Sequence, residues 1–567
     1  MSVRYCIVCT GFSGTCMLWH LVDALVDAQT RAHAAWRTLD HVHICTLERR
    51  DVNGPGMPYA PAEVAPYHLC NNPADKMALF DNDFVDWLQA HRAALVLRYP
   101  ELLRQADPAL CPSTEAATGL AAERPAWQPA PHHFYPRALF GIYLAARFET
   151  ACARARDHGI DVVNLNGCAA IDGATRDGAF HLTIDNLASG ARTQLPGFDK
   201  VLLASGHWSA VGHERPHVLP SPYPVAALRQ AMRACRPAQP GARLTVYVQG
   251  MGPSAVDAIL SLCEDGRFEL DADGLARRFV PDWTAFQASQ VAIVAGSRSG
   301  FFPGVRWPLE DIDVAWLTEQ RIAALRRRGD GVLALDDLLA LLDAECRHAG
   351  LAGLDALLAP PFADARAKLL ADIDGAPAQR LLHTLVLRAR RLRFYQYLDG
   401  ADKARYDRQF DPHFIRAAVP VPLQNARKLL CLIDAGVLET VTLGYRDAPA
   451  GAQPLLPGAV APDLVVRSHG QDYDLARHPA PLLRNLLERG EIVAYSDAGY
   501  YPGGIDASAT SAFRVARRGA AGARGARSAC LSSFGPVTQY WQNQNNFAAA
   551  FVEAAKVTAR DWVAALT

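Results

Sequence analysis

No run of roughly 18 apolar residues occurs. The longest stretches, such as Leu429–Leu438, are broken by Asp434 and Gly436, so no membrane-spanning helix is expected. Charge of one sign is also missing. The chain has 57 Lys plus Arg against 58 Asp plus Glu, a net charge of -1, and this balance argues against recruitment by nucleic acid or anionic lipid. A paired cysteine framework is absent: 13 cysteines, an odd number, are scattered from Cys6 to Cys530, which points away from a secreted disulfide scaffold and towards a cytoplasmic protein. The sequence contains no GxSxG, no GxxxxGK and no pair of CxxC motifs at zinc spacing, and its one HExxH string, His213-Glu214-Arg215-Pro216-His217, holds a proline that breaks the helix needed to put both histidines on one face. Hydrolase and metal chemistry therefore lack an anchor, and no metal is expected. The opening MSVRYCIVCTG has no small-residue cleavage site and reads as a buried strand rather than a signal peptide. Its one CxxC, Cys6 to Cys9, is expected to place the two thiols on opposite faces of that strand, unable to bridge.

The composition that remains is that of a globular chain, with 50% apolar and 20% charged residues. At about 150 residues per folding unit, its 567 residues imply several units. Val3–Val8 is an apolar run interrupted only by Arg4 near its start, the pattern of a strand buried on both faces of a parallel sheet. Gly11 and Gly14 follow, then helical spacing through Met17, Leu18, Leu21 and Leu25, then a strand over 41–47 that ends at Glu48. The order strand, glycine turn, helix, strand, acid opens a dinucleotide-binding unit. It recurs downstream, with a strand at Leu244–Val248, a turn through Gly250, Gly252, Ser254 and Ala255, a helix from Val256, and a strand at Val291–Val294. The expected fold class is thus α/β with two Rossmann-like domains and a mainly helical insert. The expected divisions are 1–235 (first dinucleotide-binding domain, first part), 240–310 (core of the second dinucleotide-binding domain), 311–445 (helical insert) and 446–567 (return to the first domain). The Gly, Ala and Arg stretch at 514–527 is expected to be a surface loop, and 547–566 an amphipathic helix.

A phosphate-binding turn needs a tight bend, close backbone approach and a helix N-terminus aimed at the anion. The first turn reads Cys9-x-Gly11-x-x-Gly14, with cysteine where the fingerprint begins with glycine. Glu48, at the end of the second strand, is placed to accept hydrogen bonds from a ribose. The corresponding strand of the second unit leads instead into Gly296-Ser297-Arg298-Ser299-Gly300. Arg298 suits a 2′-phosphate, so NADPH is the expected donor. In the helical stretch, Arg388, Arg390, Arg391 and Arg393 form a basic cluster that could attract those phosphates or an acidic substrate.

Three segments carry a resemblance: GPGMPYAPAEVAPYHLCNNPADKMALFDNDFVDWL from Gly54 to Leu88, FYPRALFGIYL from Phe134 to Leu144, and LLASGHW from Leu202 to Trp208. They resemble an FAD/NAD(P)-binding protein family, akin to the two-dinucleotide flavoproteins that include N-hydroxylating and Baeyer-Villiger monooxygenases. The resemblance reaches FGPVTQYW near the end and thins over the helical stretch. It implies that Gly11, Ser13, Gly14 and Glu48 hold the ADP half of FAD, with Asn71, Asn72 and Met77 near the isoalloxazine and Gly206 at the strand end that reads Ser205-Gly206. The tail Ser532–Asn546 is expected to line the flavin, with Gly535 at its turn and Trp541, Gln544, Asn545 and Asn546 beside it.

The activity implied is that of an NADPH-consuming FAD monooxygenase, which forms a flavin hydroperoxide and oxygenates a small molecule in a biosynthetic setting. N-hydroxylation of an amino acid or amine is the first choice; Baeyer-Villiger oxygenation, or electron transfer to another acceptor, is the alternative, and a non-catalytic flavin-binding protein comes after these. Asn72, Lys76, Arg137 and Asn545 are the candidate catalytic residues, with Lys76 or Arg137 available for a substrate carboxylate. The expected partners are dioxygen and a small molecule, without nucleic acid or membrane; a homo-oligomer is compatible.

Overall fold

The computed structural model describes residues 2–31, 38–80, 82–106, 127–208, 217–235, 242–286, 290–442, 456, 461–468, 470, 473–519, 524–539 and 547–565. The apolar run at the start becomes strand Val3–Val8, the centre of a six-stranded sheet. The sheet order is Arg514–Arg518, Arg524–Ser533, Lys200–Leu203, Val3–Val8, Val42–Glu48, Asp161–Asn166. All neighbours run parallel except the first two. One face is covered by the helices Phe12–Thr30, Arg137–Asp157 and Ala548–Ala564. Trp562 of the last helix is fully buried and stacks on Tyr5 of the central strand, ring centroids 5.6 Å apart. The indole of Trp562 also donates to Ser532 Oγ at 3.1 Å. The other face carries an antiparallel meander, Cys168–Arg176, Ala179–Asn186 and Arg192–Gln194, whose Phe180, Leu182 and Ile184 alternate into the core.

A second, five-stranded parallel sheet is ordered Leu438–Thr442, Gln290–Ser297, Arg243–Gln249, Leu464–Arg467, Val218–Leu219. Its core takes in Ile259 from the helix Pro253–Leu262, Leu369 from the helix Ala365–Ile373 and Leu429 from the helix Leu423–Asp434. Its strands therefore cross the divisions at 235, 310 and 445: only two of the five come from 240–310. A separate core from Leu317 to Ala418 unites the remaining helices of the inserted stretch. The molecule is α/β, with two Rossmann-type units and a helical subdomain.

Two local expectations need correction. The described residues of the stretch at 514–527 are not a surface loop: 514–518 and 524–527 belong to an antiparallel strand pair at the edge of the first sheet, with Val515 and Ala516 fully buried. Its charges are met at short range, Arg514 Nε donating to Asp561 Oδ2 at 2.9 Å and Arg527 pairing with Asp506 at 3.0 Å. Small residues between paired arginines let the backbone enter the ladder. The two thiols of the CxxC do not face opposite ways: Cys9 lies past the strand end with φ 72 and packs against the same core as Cys6. Both are free thiols.

The φ of Cys9 carries a testable cost. A side chain in the left-handed region is unfavourable by about 1–2 kcal/mol, which glycine avoids. Cys9→Gly is expected to raise stability by about 1 kcal/mol in denaturant unfolding, the loss of a half-buried thiol offsetting part of the gain. Cys9→Val is expected to lower it.

Candidate functional site

The strand ends of both sheets open on one cleft of about 2400 Å³. Pockets for single drug-sized ligands run to about 1,000 Å³, so this cleft has room for two dinucleotides. On the first wall, the helix Phe12–Thr30 starts at Gly11 with no side-chain cap, leaving its first amides facing the cleft. Gly14 lies behind that turn: a Cβ there would fall 2.1 Å from the Cys9 carbonyl oxygen, so the helix can approach its strand only with glycine at this position. Ser13 is buried and lines the cleft; Gly535, with φ +101, packs against it so closely that a Cβ would meet Ser13 Oγ at 2.8 Å. Gly206, at the end of the strand Lys200–Leu203, lines the cleft as well.

Glu48 is buried at the cleft edge. Its Oε2 accepts from the Thr10 amide at 3.0 Å and from Thr10 Oγ1 at 3.1 Å, while Oε1 accepts from the Arg50 amide at 3.1 Å. Thr10 Oγ1 also lies 2.8 Å from Asn53 Oδ1, so its single proton is shared between the two acceptors. A carboxylate has about four acceptor positions, so this anchoring leaves room for a ribose hydroxyl. Thr10, Asn53 and Arg50 were not anticipated; a threonine inside the turn and a basic residue just after the acid are their only traces in the sequence.

The loop 70–77 forms another part of the wall. It is pinned through Cys70 N to Tyr135 O at 2.9 Å and Ala74 N to His133 O at 3.0 Å. Met77 is buried and belongs both to the core and to the cleft wall. Lys76 is largely exposed and paired with Asp75 at 2.7 Å. Asn72 accepts from Arg306 Nη2 at 3.1 Å, an arginine from the second unit.

Arg137 begins its helix directly after Pro136 and reaches across the units. Its Nη2 pairs with Asp257 Oδ2 at 3.0 Å and its Nε donates to Leu69 O at 3.2 Å. Asp257 lies on the helix Pro253–Leu262 and also accepts from Tyr223 Oη at 2.5 Å, while His68 Nε2 sits 2.9 Å from Ser261 Oγ on the same helix. Burial is the largest single influence on Arg137 and disfavours its charge, but Asp257 together with Tyr223, Tyr59 and Cys70 raises its pKa overall; burial lowers that of His68 to about 4. This buried polar cluster joins the two units at the base of the cleft. Its one signal in the sequence is the acid in Ala255-Val256-Asp257-Ala258-Ile259, where an otherwise apolar helix face demands a partner.

On the facing wall, Gly250, Gly252 and Ser254 line the cleft, and Ala255 is fully buried behind them. Gly252 caps the helix without a side-chain bond, and a Cβ added to it would meet nothing within 4 Å. Arg298 is exposed at the end of the strand Gln290–Ser297, its Nη1 donating to Arg408 O at 3.1 Å. Arg390, Arg391 and Arg393 of the helical subdomain line the same cleft. Asn545, like Trp541, Gln544 and Asn546, lies outside the described residues. Among the described residues, no group of three or more His, Cys, Asp or Glu could hold a metal ion, and no helix is long and apolar enough to cross a membrane.

Residues 6–208 match a family model described as FAD-NAD(P)-binding. A curated relative, the uncharacterized protein YdhS of Escherichia coli strain K12, is 23% identical over 437 residues, covering 71% of this chain and 72% of its own. Among solved structures, the reduced form of ornithine hydroxylase from Pseudomonas aeruginosa aligns at 11% identity over 100% of both chains with a TM-score of 0.45. L-lysine 6-monooxygenase from Pseudomonas syringae aligns at 14% identity over 100% of this chain and 99% of its own, with a TM-score of 0.39. The uncapped helix start, the buried strand-end acid Glu48 and the strands Val42–Glu48, Asp161–Asn166 and Lys200–Leu203 thus fall within a segment, residues 6–208, that is similar in sequence to the FAD-NAD(P)-binding family, while Arg514–Arg518 and Arg524–Ser533 of the same sheet lie outside it.

Proposed function

We propose that the protein is an FAD- and NADPH-dependent monooxygenase acting on a small molecule and dioxygen. The observation that carries this reading is the single cleft onto which two uncapped helix starts open, one from each parallel sheet. Gly11, Ser13 and Glu48 would hold the ADP half of FAD, with Gly14 and Gly535 shaping the turn and Asn72, Met77 and Gly206 lining the space beyond. Gly250, Gly252, Ser254 and Arg298 would hold NADPH, with Ala255 packed beneath. Bound FAD supplies hydride acceptance and the activation of oxygen; the chain orients the two cofactors and shields the reacting centre from water.

Oxygen is favoured over a dithiol as the electron acceptor. A dithiol exit needs a thiolate, and burial pushes the cleft thiols of Cys9 and Cys70 up to about 12. N-hydroxylation of an amino acid or related amine is the substrate reading, resting on the resemblance of the motifs at 54–88, 134–144 and 202–208. The test is the visible spectrum of the purified protein, together with oxygen uptake during NADPH oxidation. Bands near about 370 and 450 nm with oxygen consumed support the reading. A colourless protein that cannot be reconstituted with FAD overturns it, and a yellow protein that oxidises NADPH only with a non-oxygen acceptor overturns the oxygenase assignment.

Arg298→Ala is expected to raise KM for NADPH roughly ten- to hundredfold and leave that for NADH within about twofold, since one charge-assisted contact to the 2′-phosphate is lost. Steady-state kinetics with both donors checks this, and equal losses would contradict a phosphate role.

A further inference from the structure

A substrate carboxylate inside this cleft needs a cation that is not already committed. Lys76 is exposed and paired with Asp75, and Arg137 is spent on Asp257. Arg50 pairs with Glu63 at 3.1 Å and Arg393 with Glu553 at 2.6 Å. Arg416 donates to Leu357 O inside the subdomain. Arg306 differs from all of these. Its only side-chain hydrogen bond is to neutral Asn72, its Nε is buried without a partner, and among the described residues no carboxylate pairs with it. Burial alone acts on this guanidinium, lowering its pKa to about 10.

The backbone that presents Arg306 is fixed. Its amide donates to Val421 O at 2.9 Å, Val421 N donates back to Gly304 O at 2.8 Å, and Val305 bridges Val421 in parallel. The next residue, Trp307, anchors its indole on Asp372 O at 2.8 Å. A buried cation held rigidly and left without a counter-charge is unfavourable in the empty protein, and a bound anion relieves it. Its position also separates it from the expected 2′-phosphate site. Arg298 ends a strand of the second unit, whereas Arg306 reaches the 70–77 loop of the first, where the two walls meet.

We propose that Arg306 is the residue that pairs with the carboxylate of an amino-acid substrate, Asn72 steering the guanidinium towards it. This rests on the amine-oxygenation reading above and goes beyond it by naming the group that distinguishes an amino acid from the corresponding diamine.

The test is calorimetric titration of the flavin-loaded protein with two pairs of probes that differ by one carboxylate: L-ornithine against 1,4-diaminobutane, and L-lysine against 1,5-diaminopentane. The parent is expected to bind the amino acid of at least one pair about ten- to hundredfold more tightly than its diamine. Arg306→Gln should erase that preference while keeping diamine and NADPH affinity within about twofold, and Arg306→Lys should restore part of it. A variant that keeps the parent's preference overturns the assignment, as does one that weakens NADPH and leaves the preference intact. A parent that binds neither member of either pair overturns the amino-acid reading itself, and the role of Arg306 falls with it.

Discussion

Arg137→Ala is expected to unfold at a much lower denaturant concentration than the parent, with a loss of about 3–5 kcal/mol. The variant strands the Asp257 carboxylate, only 2% exposed, in the interior beside the Tyr223 hydroxyl. Replacing both charges, as in Arg137→Met with Asp257→Leu, should recover a large part of the loss, because no unpaired charge then remains and the volume stays apolar. Urea titration at neutral pH of the parent, both single variants and the double variant measures the coupling. If Arg137→Ala instead unfolds like the parent and loses only substrate affinity, the guanidinium serves a ligand and not the joint between the units.

Glu48→Ala should lower the affinity for FAD by about tenfold, the equivalent of about 1.5 kcal/mol for one lost hydrogen bond to a charged acceptor. The geometry adds a second effect. The same carboxylate satisfies the Thr10 amide and hydroxyl, so its removal leaves a buried donor unpaired and costs about 1–3 kcal/mol of stability. Glu48→Gln keeps one acceptor oxygen and should fall between parent and alanine variant in both respects. Flavin content after gel filtration and the denaturant midpoint of the flavin-free protein separate the two effects. Full flavin occupancy in Glu48→Ala would overturn the ribose assignment.

The parts of the fold legible in the sequence are those where one strand is buried on both faces. Tyr5–Val8, Val201–Leu203, Val246–Val248 and Val291–Ala295 stand inside their strands as continuous apolar runs because helices or further strands cover the sheets on both sides. The turns were legible because Gly14 answers a contact that admits no Cβ. The meander at 168–194 left only a two-residue alternation, visible in Phe180, Leu182 and Ile184 but easily lost among the polar residues between them. Strands of two to five residues, such as Val218–Leu219, Leu438–Thr442 and Leu464–Arg467, are too short to show a period and acquire their place only by pairing with segments far away in sequence. The same limit applies at the site. The turn residues could be read locally, but the commitment of Arg137 to Asp257, and the lack of a counter-charge at Arg306 among the described residues, depend on neighbours that only the folded chain brings together.

The stacking of Trp562 on Tyr5 has a consequence for the order in which the chain is built. During synthesis the first strand emerges long before either the sheet neighbour Arg524–Ser533 or the helix Ala548–Ala564 that covers it. The second sheet likewise waits for Leu464–Arg467, made only after the whole helical subdomain has appeared. Local helices can form early, but each sheet pays its loop-closure entropy late. The subdomain with the core Leu317–Ala418 draws its hydrophobic core from one continuous stretch, although Lys403 and Arg393 also pair with Asp497 and Glu553 outside it. It is therefore the part suited to fold first on the ribosome, while the two nucleotide-binding walls close together near the end of translation.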